Sequence, residues 1–588
     1  MNKTEISIVV LLFLVLLGWG FLYRQFAPAH SPQPVRPVAK APGESGKTGT
    51  NAVGAAKAET PTLSALREAP LESLSPAAAP VAARHGGAEQ TVVISNALAS
   101  VAVSSWGGSI VRMELSGYRS KVDPQSGPVI LDFGSRPALS LTGIPGLSAD
   151  ADFAVSPGPS NGMLRVQAAA SSGLKLVRTL TLGQDYRMDV EDVFRNDGGQ
   201  PVTLPGYSVA LGPMHEAPSR GGSSVGPLLG LNTLADAGGA SVERWEAKVI
   251  PSLFGAGGSG CSGARVSAAT PTSVLHKIDV PLVWAAAKNR FFVEILAPEG
   301  GCAGAEVHAA RDPAAQGAMV ITTVSADLRF LEKTLQPGES LTRRMSYYSG
   351  PTKYAMLKQL GHRQDEVMLY AWWEWFRWLC TAILWTLNEI HQVIPNYGIA
   401  IILLTMIVRL IFWPVTRKGA ESMKRMQALQ PKVAEIRARL KDKPQKMNQE
   451  VMALYKENKV NPMAGCLPMV VQMPVFIALF NVLRSAVELR FARFLWIRDL
   501  SEPEGILAGT LPFGGINILP LLMTATTIWQ QKLTPTGGDP QQQKMMMLMP
   551  IFMLFLFYNM ASALVLYWTV SQLLAIGGIL FQRYHKGK

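Results

Sequence analysis

The sequence predicts a polytopic α-helical membrane protein with a large external β-sandwich domain. Six spans are expected, with a cytoplasmic helical hairpin between the second and the third. Three observations carry this reading. Residues 395–588 hold long stretches with almost no charge, and about 20 apolar residues suffice to cross a bilayer as a helix. Residues 89–350 show short alternating or β-branched runs punctuated by Gly, Asn, Asp and Pro, the pattern of an antiparallel sandwich. The chain as a whole has 588 residues, 48% hydrophobic and 16% charged, well below the roughly 25% charged of an average soluble protein.

Taken in order, residues 1–23 contain the unbroken apolar run 6–23, long for a signal-peptide core and about enough for one span. It is expected to be an uncleaved anchor, although Ala27-Pro28-Ala29 leaves cleavage open on local chemistry. Residues 24–88 are rich in Ala, Pro, Gly and Ser with few aromatics. Such a segment buries too little apolar surface to fold and is expected to be a disordered linker. The sandwich follows at 89–350, with strand candidates at 91–95, 100–106, 174–182 and 187–194.

Residues 351–394 are a linker and an amphipathic helix. Trp372, Trp373, Trp375, Trp378 and Trp385 lie there with Glu374 and Arg377 among them. Indole rings prefer the headgroup boundary, so the helix is expected to lie on the outer surface. The second span is 395–416. Residues 417–461 carry an apolar stripe, Met426, Leu429, Val433, Ile436 and Leu440, then Met447, Val451 and Leu454 after Pro444, which reads as a helical hairpin with basic polar faces. The third span is 462–484, an external loop 485–512, the fourth span 513–531 and a cytoplasmic loop 532–544. The 37 residues 545–581 have no acidic or basic side chain and read as two helices folded back on each other, spans 545–560 and 561–582, before a tail at 583–588.

Charge sets the orientation. Residues 416–462 hold twelve Lys/Arg against five Asp/Glu, and residues 485–512 hold three Arg against four acids. Basic loops stay in the cytoplasm, which places the hairpin and both termini inside. The net charge of +13 is therefore topological rather than a DNA-binding signature, and no zinc-finger or aromatic-basic RNA spacing accompanies it. The basic hairpin suits anionic phospholipids, ribosomal RNA or an acidic partner.

Spans two to six contain no Asp, Glu or His. Proton relays and intramembrane metal sites need such groups, and an arginine does not lose its proton. An enzyme is therefore not expected in the bundle, and no cofactor is implied. Ser562 and Ser571 have no visible base partner. Arg409 stands alone, five residues before Pro414 in the inner half of the second span, where a charge costs roughly 2.5–3.5 kcal/mol. It either snorkels to the cytoplasmic headgroups or faces a polar groove inside the bundle. Gln472, Asn481, Thr524, Thr527, Gln530, Thr569 and Gln572 are the candidate lining. Of 24 methionines, 17 lie after residue 350, flexible side chains suited to varied apolar partners. Cys261 and Cys302 lie in the external domain and either pair as a disulfide or remain free thiols. An anion-selective transporter or channel using Arg409 is the alternative within the membrane, and a carbohydrate enzyme in the β-domain the alternative outside it.

The stretches 405–442 (TMIVRLIFWPVTRKGAESMKRMQALQPKVAEIRARLKD), 461–490 (NPMAGCLPMVVQMPVFIALFNVLRSAVELR), 539–550 (DPQQQKMMMLMP) and 563–572 (ALVLYWTVSQ) resemble the YidC/Oxa family of membrane insertases. In the external domain SSWGGSIVRMEL (104–115), WAAAKNRFF (284–292) and YYSGP (347–351) resemble its Gram-negative, periplasmic-domain form. The resemblance implies an insertase and chaperone of the bacterial inner membrane, its five-helix core surrounding a groove open to cytoplasm and lipid. It assigns the groove charge to Arg409 and a substrate slide to spans three and five, where Met469, Met473, Met549 and Met553 lie. It further implies nascent membrane proteins as substrates, delivery by the ribosome or targeting machinery through the hairpin, and cooperation with the Sec translocon. Departures from the family pattern fall at Ser562-Ala563, Ser571-Gln572 and Arg493, and the short tail after Arg583 argues against ribosome contact through it.

Overall fold

A computed structural model describes residues 88–588, apart from 135, 161, 217–227, 237–241, 246–249, 255–270, 314–319, 369–373, 441–442, 459, 461–466, 507–514, 534–539 and 587–588. The expected first span and residues 24–87 of the expected linker thus lie outside the described residues, as do Trp372, Trp373, Cys261 and Cys466.

The external domain is built on a nine-stranded antiparallel sheet. Its order runs Val242–Trp245, Gly230–Ala235, Leu282–Lys288, Phe292–Pro298, Ser340–Pro351, Arg187–Asn196, Leu174–Leu182, Met163–Ala169 and Ala154–Pro157. A six-stranded sheet centred on Gly304–Arg311 and Ile321–Phe330 packs on its Gly230–Ala235 and Leu282–Lys288 end. A four-stranded sheet from Thr91 to Asp132 completes the domain. Alternation explains the packing: in Leu174–Leu182 residues 174, 176, 178, 180 and 182 are buried and their neighbours half-exposed. Four of those inward positions are leucine and the fifth is Arg178. It lies directly opposite Asp192 on the next strand, and Nε and Nη2 donate to the two carboxylate oxygens at 2.7 and 2.8 Å. Nη1 donates to the carbonyls of Gly108 and Leu139 at 3.1 and 2.6 Å. Leu139 itself sits at φ 63°, a left-handed conformation uncommon outside glycine, and the carbonyl it aims at Arg178 is one return on that strain.

Of the expected Cys261–Cys302 pair, the structure describes Cys302 alone. It is a free, buried thiol whose Sγ donates to the Gly304 carbonyl at 3.3 Å. The bridge pairing Leu282 with Cys302 holds it against the sheet.

Among the described residues from Glu374 onward there are eight α-helices in chain order: α1 Glu374–Val393, α2 Tyr397–Ala428, α3 Gln430–Arg439, α4 Pro444–Glu457, α5 Leu467–Ser485, α6 Ile518–Leu533, α7 Pro540–Phe557 and α8 Ser562–Lys586. Helix α1 buries Phe376, Cys380, Ile383, Leu384 and Leu387, a helical stripe set against α2 and α5. Its Trp378 and Trp385 are exposed on the opposite side. The helix that carries the second span continues beyond it. Helix α2 runs through Pro414 to Ala428, and the Thr416 hydroxyl donates to the Phe412 and Trp413 carbonyls beside the proline. The hairpin closes on a small core of Met426, Leu429, Val433, Tyr455 and Val460.

Among the described residues two helical segments are long and apolar enough to cross a membrane, Tyr397–Arg417 and Ser562–Tyr584, with Leu548–Phe557 a shorter apolar segment. Large apolar side chains lie open on these and neighbouring helices, among them Leu410, Trp413, Ile477, Leu521, Phe552, Phe555 and Phe581. Water does not tolerate such a belt and hydrocarbon does. Between the helices, Phe476, Phe557 and Trp568 form an aromatic cluster with ring centroids 5.1–6.1 Å apart.

Candidate functional site

Helices α2 and α8 pack side by side, and Arg409 projects from α2 onto the middle of α8. Its Nε donates to Ser571 Oγ at 2.9 Å and Nη2 to the Ser571 carbonyl at 2.8 Å. The side chain is therefore held at the helix contact rather than extended toward a headgroup. Tyr567 precedes Ser571 by one turn, within hydrogen-bond reach of it, and its hydroxyl accepts from Gln472 Nε2 of α5 at 2.6 Å. Gln472, Tyr567, Ser571 and Arg409 thus form one polar row across three helices. An arginine offers five N–H donors, and the two hydrogen bonds to Ser571 end on neutral oxygens, with no carboxylate of the described residues opposite the charge. The row orients a cation without cancelling it.

The remaining expected lining residues separate into two groups. Thr524, Thr527 and Thr569 donate to the carbonyls of Pro520, Met523 and Val565 in the preceding turn of their own helices at 2.7–2.8 Å. Those hydroxyls are spent locally, the usual behaviour of threonine inside a helix. Asn481 faces elsewhere: it lines a pocket of about 80 Å³ with Lys288, Asn289, Arg290 and Arg484, at the junction with the β-domain. Gln530 and Gln572 are half-buried. Of the methionines, Met473 is exposed and Met549 and Met553 half-buried, while the side chain of Met469 lies outside the described residues.

Sequence reasoning missed Tyr567 as a member of the row and treated Ser571 only as a nucleophile without a base. It also missed that residues 486–506 and 515–517 form a crosslinked plug rather than a plain loop. Asp499 Oδ1 accepts from the amides of Phe491 and Ser501 and from the Ser501 hydroxyl at 2.7–3.1 Å. Glu504 accepts from the Ile518 and Leu519 amides at 2.7 and 2.8 Å, a carboxylate satisfying the free N–H groups that begin α6. The Glu502 carbonyl accepts from the amide and hydroxyl of Ser562, which starts α8, at 3.0 and 2.7 Å. Asn517 Nδ2 donates to the Tyr558 carbonyl just past α7 at 2.7 Å. Phe494 lies so close to Gly398, at the start of α2, that a Cβ there would fall 2.1 Å from its ring. Asp499, Glu502 and Glu504 are all buried. The plug therefore joins the starts of α2, α6 and α8 and the end of α7 at one end of the bundle.

Comparison with known proteins agrees with this architecture. Residues 91–386 match the model of the YidC periplasmic domain, and residues 389–587 match that of the 60Kd inner membrane protein. Together the two cover both the β-domain and the helices. The chain belongs to the YidC family of membrane protein insertases. Its similarity to the YidC insertase of Nitratidesulfovibrio vulgaris is 32% identity over 98% of both chains. The match to the YidC insertase of Syntrophobacter fumaroxidans is 38% identical and spans 52% of this chain and 55% of that one. A crystal structure titled as an active YidC insertase with its first transmembrane domain resolved is 19% identical, covers 84% of this chain and 92% of that one, and superposes with a TM-score of 0.34. Within the YidC family match, Arg409, Gln472, Tyr567 and Ser571 all fall in the helical region 389–587.

Proposed function

We propose that this chain inserts nascent membrane proteins into the inner membrane, with Arg409 drawing acidic groups of a substrate's leading segment into the bundle. The observation that carries this reading is the Arg409 contact itself, a guanidinium oriented by Ser571 and left without a counter-ion among the described residues. A fixed cation in a low-dielectric site attracts a carboxylate far more strongly than it would in water. The plug adds direction, because it crosslinks the end of the bundle where α2 starts, and the basic hairpin follows the other end of α2. The work is non-covalent in this reading: the neighbours of Arg409 are a serine, a tyrosine and an amide, and the Ser571 hydroxyl already accepts from the guanidinium. The charge bias of the loops supports six spans with both termini in the cytoplasm and the β-domain in the periplasm. The resemblance of the hairpin and β-domain supports delivery from the ribosome or targeting machinery, contact with anionic phospholipids and cooperation with the Sec translocon. The transporter alternative is not favoured, since the curated relatives are insertases.

The test is insertion of a single-span substrate into proteoliposomes containing the full chain. Arg409→Ala is expected to lose insertion of substrates with acidic leading segments by about 10-fold or more, given roughly 1.5–3 kcal/mol for a charge-assisted contact. Arg409→Lys is expected to keep most of it. Normal insertion of acidic substrates by Arg409→Ala sinks the charge-attraction mechanism.

A further inference from the structure

The β-domain and the plug interlock through two arginines pointing in opposite directions. Arg290 lies in the turn between the strands Leu282–Lys288 and Phe292–Pro298 and enters the plug. Its Nε donates to the Arg484 carbonyl near the end of α5 at 2.8 Å, Nη1 pairs with the Glu502 carboxylate, and Nη2 donates to the Ser501 carbonyl. Only 15% of the Arg290 side chain and 9% of the Glu502 side chain remain exposed. Arg490 runs the other way, from the plug into the β-domain. It donates to the Arg119 and Ser120 carbonyls at 2.6 and 3.3 Å and lies over the rings of Phe291 and Phe292 at 5.7 and 5.5 Å. Burial lowers its pKa to about 10, so it remains a cation at neutral pH.

The residue that Arg290 neutralises is the one on which α8 begins. The Glu502 carbonyl holds the Ser562 amide and hydroxyl, and the Leu500 carbonyl holds the Ala563 amide at 2.9 Å. Ser571 lies nine residues further along the same helix, about 13–14 Å at the α-helical rise, and there it orients Arg409. A continuous path of named contacts therefore leads from a turn of the β-domain to the charge in the bundle. We propose that Arg290 is a positioning residue for insertion. By pairing Glu502 it sets where α8 starts, and through α8 it sets the seat of Arg409. Without Arg290 the buried Glu502 loses a cation that holds it in place, the plug shifts, and Ser571 no longer holds the guanidinium in place. The proposal rests on the insertase reading above.

The experiment uses the full chain in proteoliposomes, with Arg290→Ala, Arg290→Lys, Glu502→Gln and the Arg290→Ala/Glu502→Gln double variant. Two single-span substrates are compared, one with an acidic leading segment and one with a neutral one. Hydrogen exchange is followed at residues 562–568 and in the strands Leu174–Leu182 and Arg187–Asn196. The expected result is a roughly three- to tenfold loss for the acidic substrate in Arg290→Ala, a smaller loss for the neutral one, and partial recovery in Arg290→Lys. The double variant is expected to be no worse than Arg290→Ala alone, because the two residues act as one unit. Exchange rises at 562–568 while the strands stay protected. Wild-type insertion by Arg290→Ala overturns the proposal, as do equal losses for both substrates or deprotected strands, which assign the loss to unfolding. Failure of the wild type to insert either substrate sinks the insertase reading instead.

Discussion

Arg178 in the β-domain and Arg409 in the helices are both withdrawn from water, yet they are treated in opposite ways. Arg178 is 1% exposed and meets a carboxylate squarely, with two backbone carbonyls taking further donors. Its charge is cancelled, and the pair locks two strands to the residues around Gly108 and Leu139. Arg409 is half-buried and meets one serine. The difference separates a charge kept for architecture from one kept available. A cancelled ion pair has no attraction left for an incoming acidic group, whereas an oriented but uncancelled one retains it.

The sharpest way to break this comparison is to truncate both residues. Arg178→Ala strands Asp192 in the core and is expected to destabilise the β-domain by about 3–5 kcal/mol, read as a lower denaturation midpoint of the full chain. Arg409→Ala is expected to leave that midpoint unchanged, because no buried carboxylate is orphaned. A loss of stability of similar size at both sites would erase the distinction. A finer probe is Ser571→Ala, which removes one of the two contacts that hold Arg409 and keeps the carbonyl. Insertion of acidic substrates is expected to fall about fivefold, corresponding to about 1 kcal/mol for one hydrogen bond, with no change in thermal stability.

The smallest expected effect concerns a third solution to burying an ionisable group. Glu294 lies between Ala287 and Ser349 in the nine-stranded sheet, fully buried, and neither carboxylate oxygen has a hydrogen-bond partner among the described residues. Burial holds its pKa well above the ordinary carboxylate value of 4.5, so the native state keeps a proton that the unfolded chain releases. Its stabilising share is complete below the unfolded value and is lost as pH rises toward the folded one. Glu294→Gln is therefore expected to flatten the pH dependence and raise the β-domain melting temperature near neutrality by roughly 2–4 °C, the shift produced by about 1 kcal/mol. Melting curves between acid and neutral pH decide it, and an unchanged slope would mean that Glu294 is ionised in the native state.

Features that depend on pattern along the chain were legible in advance. The strands at 174–182 and 187–194, the hairpin stripe and the isolated charge at Arg409 all follow from periodicity or from a single residue in the wrong solvent. Features that depend on which elements meet were not. Arg178 stood in plain view inside an alternating strand, but its inward phase matters only once Asp192 is known to lie opposite. The three threonines looked like groove lining, yet each hydroxyl found its own helix first. Asn481 belongs to the far end of α5, beside Arg484 and the β-domain. The acids Asp499, Glu502 and Glu504 read as an external charge count, although their close spacing hinted at a segment built to cap helices.

Solvent preference and local periodicity act residue by residue, so the sequence alone determined the β-domain, the apolar helices, the loop charge bias and the unusual arginine. Hydrogen-bond partners are chosen in three dimensions, often across hundreds of residues, as Arg290 with Glu502 and Arg409 with Ser571 show. Only the tertiary structure decided that the charge is held on α8, that α2 continues through its proline, and that the β-domain grips the bundle through a plug. Composition determines which groups must be satisfied when water is withdrawn, and packing determines by what.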